Sequence, residues 1–227
     1  MTPSVRSAGK TDTGKVRRRN EDAILVRDDL GLWVVADGLG GHAAGDFASG
    51  IIVQRLGALN RQGDIDDFIE AIEDTLQTIN ADLRAAAASR SVELIASTVV
   101  MLVYDRDFAL CGWVGDSHAY TFHDGALRRL TRDHVRGDGD GPDAGALTRA
   151  IGADDHVHVD WVVMVPRPGT RFILCSDGVN KELSDDELHE ACRRHDEPHQ
   201  LLDNVFGTAL SRSARDNISA VIVGWER

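Results

Sequence analysis

The 227-residue chain is short of cysteine, short of positive charge, and without a long apolar run. Its three cysteines, Cys111, Cys175 and Cys192, show no CxxC spacing, and an odd number leaves at least one outside any internal pair. A disulfide scaffold is therefore excluded, and a reduced compartment is the simpler expectation. Lys plus Arg number 25 against 37 Asp plus Glu, a net charge of −12 that repels nucleic acid and anionic lipid over most of the surface. No apolar stretch approaches the roughly 20 residues of a membrane-spanning helix. The opening MTPSVRSAGK lacks the apolar core of a signal peptide. These absences lead to the expectation of a soluble, cytoplasmic monomer without nucleic-acid or membrane partners.

What is present is a succession of apolar runs and turns, over a length suited to one substantial core. The runs "DAILVRDD" and "LWVVAD", joined through Leu30-Gly31, predict a hairpin, because β-branched and aromatic residues are bounded there by turn formers. "DFASGIIVQRLGAL" and "DIDDFIEAIEDTLQTINADLRAAAA" predict helices. The second places Ile65, Phe68, Ile69, Ile72, Leu76, Ile79 and Leu83 at three- and four-residue steps, with Asp64 as N-cap. From 94 to 132 the pattern predicts four short strands in an antiparallel meander. Residues 136–145, "RGDGDGPDAG", read as a flexible acidic loop or lid. Strands "DHVHVDWVVMV" and "TRFILCSDG" follow, then helices "SDDELHEACRRH", with a Ser184 to Glu187 capping box, and "PHQLLDNVFGTALS", then a last strand "NISAVIVGWE". This order lacks a regular βαβ alternation and predicts an α+β layered fold, its mainly antiparallel sheets flanked by helices.

The stretch "LGLWVVADGLGGHAAGD" raises the question of function. Its Gly38-x-Gly40-x-x-Ala43 spacing fits a dinucleotide-binding turn. Such a turn belongs to a parallel βαβ unit, however, and Asp37, directly before the first glycine, would repel a pyrophosphate. Acids recur at strand boundaries: Asp37 after "LWVVA", Asp116 after "LCGWVG", Asp177 after "RFILCS" and Asp216 before "NISAVIVG". Hard divalent ions such as Mg²⁺ or Mn²⁺ take oxygen ligands, and a pair of them can activate a water. Gly38 and Gly178, each following an acid, remove a side chain so that a backbone carbonyl can also approach an ion. In "GKVRRRNEDA" arginines stand beside Asn20, Glu21 and Asp22, a combination suited to an anionic phosphoryl group meeting metals.

Taken together, these segments resemble the metal-dependent serine/threonine protein phosphatases, the type 2C or PPM family, in its bacterial form. The resemblance runs from about residue 7 to the C-terminus in the family's order, through "TDTGKVRRRNED", "VVADGLGGHAAGDFAS", "STVV", "GWVGDSHAY", "LTRDH", "ALTRAIG", "FILCSDGV" and "ARDNISAVIV". It implies a single domain over 1–227, a four-layer α-β-β-α sandwich of two mainly antiparallel sheets flanked by helix pairs, with residues 1–6 flexible. It also implies two Mn²⁺ or Mg²⁺ ions, with a third in some members. Asp37 would bridge two metals, Asp177 and Asp216 would complete the first site, and the Gly38 carbonyl would join the second. Asp22 would hold the second metal's waters, Glu21 would assist from behind, and Asn217 would orient the neighbouring carboxylate. Asp116 would bind a third metal together with Asp177, and Arg17 would grip the substrate phosphate. The implied activity is hydrolysis of phosphoserine and phosphothreonine in proteins that a serine/threonine kinase modifies. No cysteine nucleophile is required, and Cys111 and Cys175 read as core thiols.

The chain departs from the family pattern in places. His118 stands where arginine usually follows "GDS", exchanging a permanent charge for a group that titrates near neutrality, or for one that simply packs at a strand edge. Residues 135–146 form a flap shorter than the family's, which should leave the cleft more open. Some relatives carry histidine after the Asp-Gly where this chain has Leu39, so His42 is expected to be structural or to cap the next helix. His156 and His158, alternating on an expected strand, would share one face, solvated rather than metal-binding. Two other readings stay open: a phosphatase-fold sensor or binding module without turnover, and, more distantly, a nucleotide-binding oxidoreductase.

Overall fold

The expected early hairpin forms, with Asp22–Arg27 (β2) antiparallel to Leu32–Leu39 (β3) in a register that sets Asp22 opposite Asp37. In the computed structural model of the chain, residues 5–40, 44–106, 108–137 and 145–225 are described. Beside the hairpin lie Val99–Asp105 (β5), Phe108–Val114 (β6) and Asp160–Met164 (β9), giving the order β2-β3-β5-β6-β9, with two-residue Ala96–Ser97 (β4) on the end of β3. A second sheet has the order β1-β11-β10-β7-β8, from Val5–Asp12 (β1), Ile218–Trp225 (β11), Arg171–Cys175 (β10), His118–His123 (β7) and Ala126–Arg129 (β8). Every pairing between these strands is antiparallel.

Alternation along the strands builds three apolar layers. Trp33, Val35, Val100, Leu102, Phe172, Leu174, Val221 and Val223 fill the space between the sheets. On the outer face of the first sheet, Leu32, Val34 and Met101 pack on Gly45–Gly57 (α1) and Ile65–Arg90 (α2) through Ile52, Phe68, Leu76 and Ile79. On the outer face of the second, Ile173, Ala220 and Ile222 meet Asp177–Glu182 (α3), Asp185–Arg194 (α4) and Pro198–Ser211 (α5) through Val179, Leu188, Val205 and Phe206. The result is the expected four-layer sandwich, helices on sheet on sheet on helices. Asp64 caps α2 and Ser184 caps α4, each in a reciprocal capping box. Cys111, Cys175 and Cys192 are buried free thiols.

Four expectations change. Pairing begins at Val5, opposite Trp225, so Val5 and Arg6 belong to β1 rather than to a flexible lead. The expected meander is two hairpins in different sheets: β5 pairs β6, β7 pairs β8, and the chain crosses between sheets at Gly115. Gly115 has φ +111°, and a Cβ there would lie 2.6 Å from Thr98 Cβ, so only glycine makes this crossing without strain. His156 and His158 precede β9 and are exposed, so they share no strand face. The expected strand "TRFILCSDG" stops at Cys175, and its last two residues open the short helix α3 instead. The ends of the 135–146 segment are drawn together, with Arg136 N–H donating to Ala146 O at 2.8 Å and Val135 bridging Leu147, while residues 138–144 lie outside the described residues. His42 also lies outside them.

Candidate metal centre

The candidate ligands leave the sandwich at one end of the gap between the sheets. Asp37 continues the alternation of Trp33 and Val35, and Asp22 that of Ile24, so the hairpin aims both carboxylates into the gap where the apolar side chains stop. From the other sheet, Asp177 follows β10 and opens α3, and Asp216 precedes β11. Asp116 sits at the crossing between sheets, just after β6. Asp22 is buried and the other four are half-buried.

Close backbone approach makes this convergence possible. A Cβ on Gly38 would run into the Gly45 carbonyl, and one on Gly178 into the Asn217 carbonyl. The glycine after each of these two acids thus lets neighbouring segments close on the site, a requirement the sequence pattern alone did not disclose. Around Asp37, the backbone is held by Thr98 N–H to its carbonyl at 2.9 Å and by Ser97 Oγ to the same oxygen at 2.9 Å. Gly115 is pinned by His134, whose backbone N–H donates to the Gly115 carbonyl at 3.0 Å while its Nδ1 accepts the Gly115 N–H at 3.1 Å. His134 Nε2 lies 3.1 Å from Asp160, which Arg149 also holds at 2.9 Å.

The carboxylates raise one another's cost of ionisation. Burial, then the charges of Asp22, Asp177, Asp116 and Asp216, push Asp37 well above the usual carboxylate range. Burial pushes Asp116 up to about 6, with Asp177 adding to it. Asp22 is likewise raised to about 6 by burial, against hydrogen bonds from Ser219 and Ser176 that favour its charged form. Ser176 Oγ donates to Asp22 Oδ2 at 2.8 Å, whereas Asp22 Oδ1 and Asp177 Oδ1 are buried without a hydrogen-bond partner. Oxygen-only donors, mutual repulsion and orphaned buried oxygens are what a hard divalent cation would relieve, so the residues fit such an ion. As they stand, no three acid, cysteine or histidine side chains among the described residues are drawn close enough to form a metal-ligand group.

Cations already touch the site's edge. Lys181 Nζ is 2.6 Å from Asp177 Oδ2 and 2.7 Å from Asp216 Oδ2, and Arg17 Nη2 is 2.9 Å from Asp216 Oδ1. Burial works to raise Asp216, but the Lys181 bond and charge, then Arg17, outweigh it and hold this carboxyl below its usual range. Asn217 reaches Asp216 through its backbone N–H at 3.0 Å. Its side chain staples the arginine-rich segment: Oδ1 accepts Glu21 N–H at 2.9 Å, and Nδ2 donates to the carbonyls of Thr13 and Arg19, each at 2.9 Å. The Glu21 carbonyl accepts the Gly38 N–H at 3.0 Å and Ser49 Oγ at 2.6 Å, tying the same segment to β3 and α1.

His118 is buried at the start of β7, with Nε2 3.2 Å from Asp133 and Nδ1 3.2 Å from the Tyr120 hydroxyl. Burial, then the charge of Arg129, lower its pKa against the pull of the nearby Asp133, and so favour the uncharged ring. The residues not singled out from sequence are Ser176, Ser219, Lys181 and His134. Ser176 and Lys181 carried a signal, since they directly precede Asp177 and follow it by one helical turn.

Residues 14–220 match the family model described as protein phosphatase 2C. The chain is 29% identical over 235 residues to the serine/threonine phosphatase stp of Listeria monocytogenes, spanning 94% of this chain and 93% of that one. Its fold is similar to that of PppA, a key regulatory component of T6SS in Pseudomonas aeruginosa, with a TM-score of 0.92, 37% identity and 97% of each chain covered. It is also similar to the catalytic domain of the serine threonine protein phosphatase PstP in complex with two manganese ions, with a TM-score of 0.87, 26% identity and all of both chains covered. With nearly its whole length matched in sequence and in fold, the chain belongs to the protein phosphatase 2C family.

Proposed function

We propose that the chain hydrolyses phosphoserine and phosphothreonine in proteins with the help of divalent metal ions. The observation that carries this is the convergence of five aspartates from both sheets, with buried, unpartnered oxygens on Asp22 and Asp177. In this reading Asp37, Asp177 and Asp216 would hold one Mn²⁺ or Mg²⁺ ion, and Asp37, the Gly38 carbonyl and, through waters, Asp22 would hold a second. Asp116 with Asp177 would hold a third. Bound there, such ions supply a water acidified to near neutral pH and positive charge against the phosphoryl oxygens.

The chain's own residues do the rest. Ser176 fixes Asp22 in one orientation, and Asn217 holds the 13–21 segment so that Arg17 faces the carboxylates. Arg17, half-exposed beside Asp216, turns its guanidinium to the substrate phosphate, for which its planar fork is suited. Asp22, Asp37 and Asp177 offer the negative charge that keeps cations rather than anions in the cleft. The products are inorganic phosphate and the free hydroxyl of serine or threonine.

The substrates are phosphoproteins made by a serine/threonine kinase, and the protein works in the cytoplasm as a monomer. Among the described residues no helix is long and apolar enough to cross a membrane. Purified protein with Mn²⁺ should hydrolyse a generic aryl phosphate and lose that activity in chelator. Absence of hydrolysis with every divalent metal would leave the sensor or binding-module reading instead.

A further inference from the structure

Lys181 lies outside the residues assigned so far, yet its ammonium holds one oxygen of each of two candidate ligands, Asp177 Oδ2 at 2.6 Å and Asp216 Oδ2 at 2.7 Å. The position follows from the fold. Asp177 opens α3, Lys181 is one turn later on the same face, and β11 brings Asp216 alongside. Arg17 occupies the other oxygen of Asp216, so both oxygens of this carboxylate are already engaged by the chain's own cations. Lys181 joins Asp177 to Asp216, which Arg17 does not. Its side chain is 52% exposed, and its flexible stem gives the ammonium a path outward to water.

We propose that Lys181 is a built-in counter-ion that competes with a divalent metal for Asp177 and Asp216, lowering the metal affinity of that pair and stabilising the site when metal is scarce. This rests on the reading of these acids as metal ligands. A monovalent ammonium offsets the repulsion between the two carboxylates, and a divalent ion must displace it to use the same oxygens. Each exposed ion pair is worth about 0.2–1 kcal/mol, so losing both predicts metal binding about two- to thirtyfold tighter without the charge.

Calorimetric titration with Mn²⁺ of the wild type, Lys181→Met and Lys181→Arg tests this, alongside thermal melting in chelator and in saturating Mn²⁺. Lys181→Met should bind at least one Mn²⁺ more tightly, while Lys181→Arg, which keeps the charge, should stay near wild type. In chelator Lys181→Met should melt below wild type, and in saturating Mn²⁺ the gap should close or reverse, which a merely structural lysine would not produce. Unchanged or weaker Mn²⁺ binding by Lys181→Met overturns the proposal, as does a raised KM for a phosphopeptide with unchanged Mn²⁺ affinity, which would make Lys181 a phosphate contact. If the wild type takes up no Mn²⁺ but Lys181→Met does, the lysine is the barrier. If neither does, the metal reading of the site fails and this proposal with it.

Discussion

At Asp37, burial and the charges of four neighbouring aspartates act in the same direction, against ionisation. The position is therefore poor for stability and suited to a cation. Asp37→Asn should lower kcat by more than about a hundredfold, since even losing the partners that support a metal ligand costs 10–100-fold. The same variant should melt above wild type in chelator, because it removes repulsion; melting at or below wild type would contradict the electrostatic account. Asp22 and Asp116 give a pH signature. Their folded pKa of about 6 exceeds the ordinary 3.8, so the stability they confer is full below pH 3.8 and is lost as pH rises through 6. In chelator the melting temperature should fall between about pH 4 and pH 7, and Mn²⁺, which favours the charged forms, should reverse that slope; a flat profile would contradict it. Arg17→Ala should chiefly raise KM, with kcat falling less, in steady-state kinetics on a phosphopeptide. The acids were legible because each stands at the border of an apolar run. Lys181 and Ser176 were marked only by their spacing from Asp177, because a six-residue helix is too short to display a periodicity and Ser176 acts through its bond to Asp22.

Among the elements, the site depends on segments stapled together rather than on any one strand. Asn217→Ala removes three side-chain hydrogen bonds that hold the 13–21 segment to the start of β11. With the segment's backbone groups left unpaired, the cost should be about 1–3 kcal/mol, read from the urea midpoint, with a rise in KM as Arg17 loses its support. An unchanged midpoint would mean that the segment is held by other contacts. The hairpin, the two capped helices and the terminal strand were all readable from turn residues, capping boxes and apolar periods. Strand β1, "VRSAGKTD", was not, because at the sheet's edge it has few β-branched residues and is defined by pairing with β11 along its whole length. The crossing at Gly115 was hidden for a different reason. Local strand patterns do not reveal which sheet a strand joins, and glycine's positive φ becomes visible only in the fold.

Over the whole molecule, the apolar layer between the sheets is what holds the carboxylates from β3 and β10 in a common frame. Leu174 is fully buried in that layer, three residues before Asp177. Leu174→Ala should cost about 2–5 kcal/mol in denaturant unfolding and also loosen Mn²⁺ binding, because the cavity relaxes the strand that presents Asp177. Loss of stability with unaltered Mn²⁺ affinity would separate the core from the site. Five of the chain's 37 acids meet at this end of the gap between the sheets, and Arg17 stands beside Asp216 at their edge. The most direct measurement is release of inorganic phosphate from a phosphothreonine peptide as Mn²⁺ is titrated into wild type and Asp37→Asn. The account predicts saturable, chelator-reversible release by the wild type and almost none by the variant at any Mn²⁺ concentration. Release by Asp37→Asn at a rate near the wild type's would contradict it.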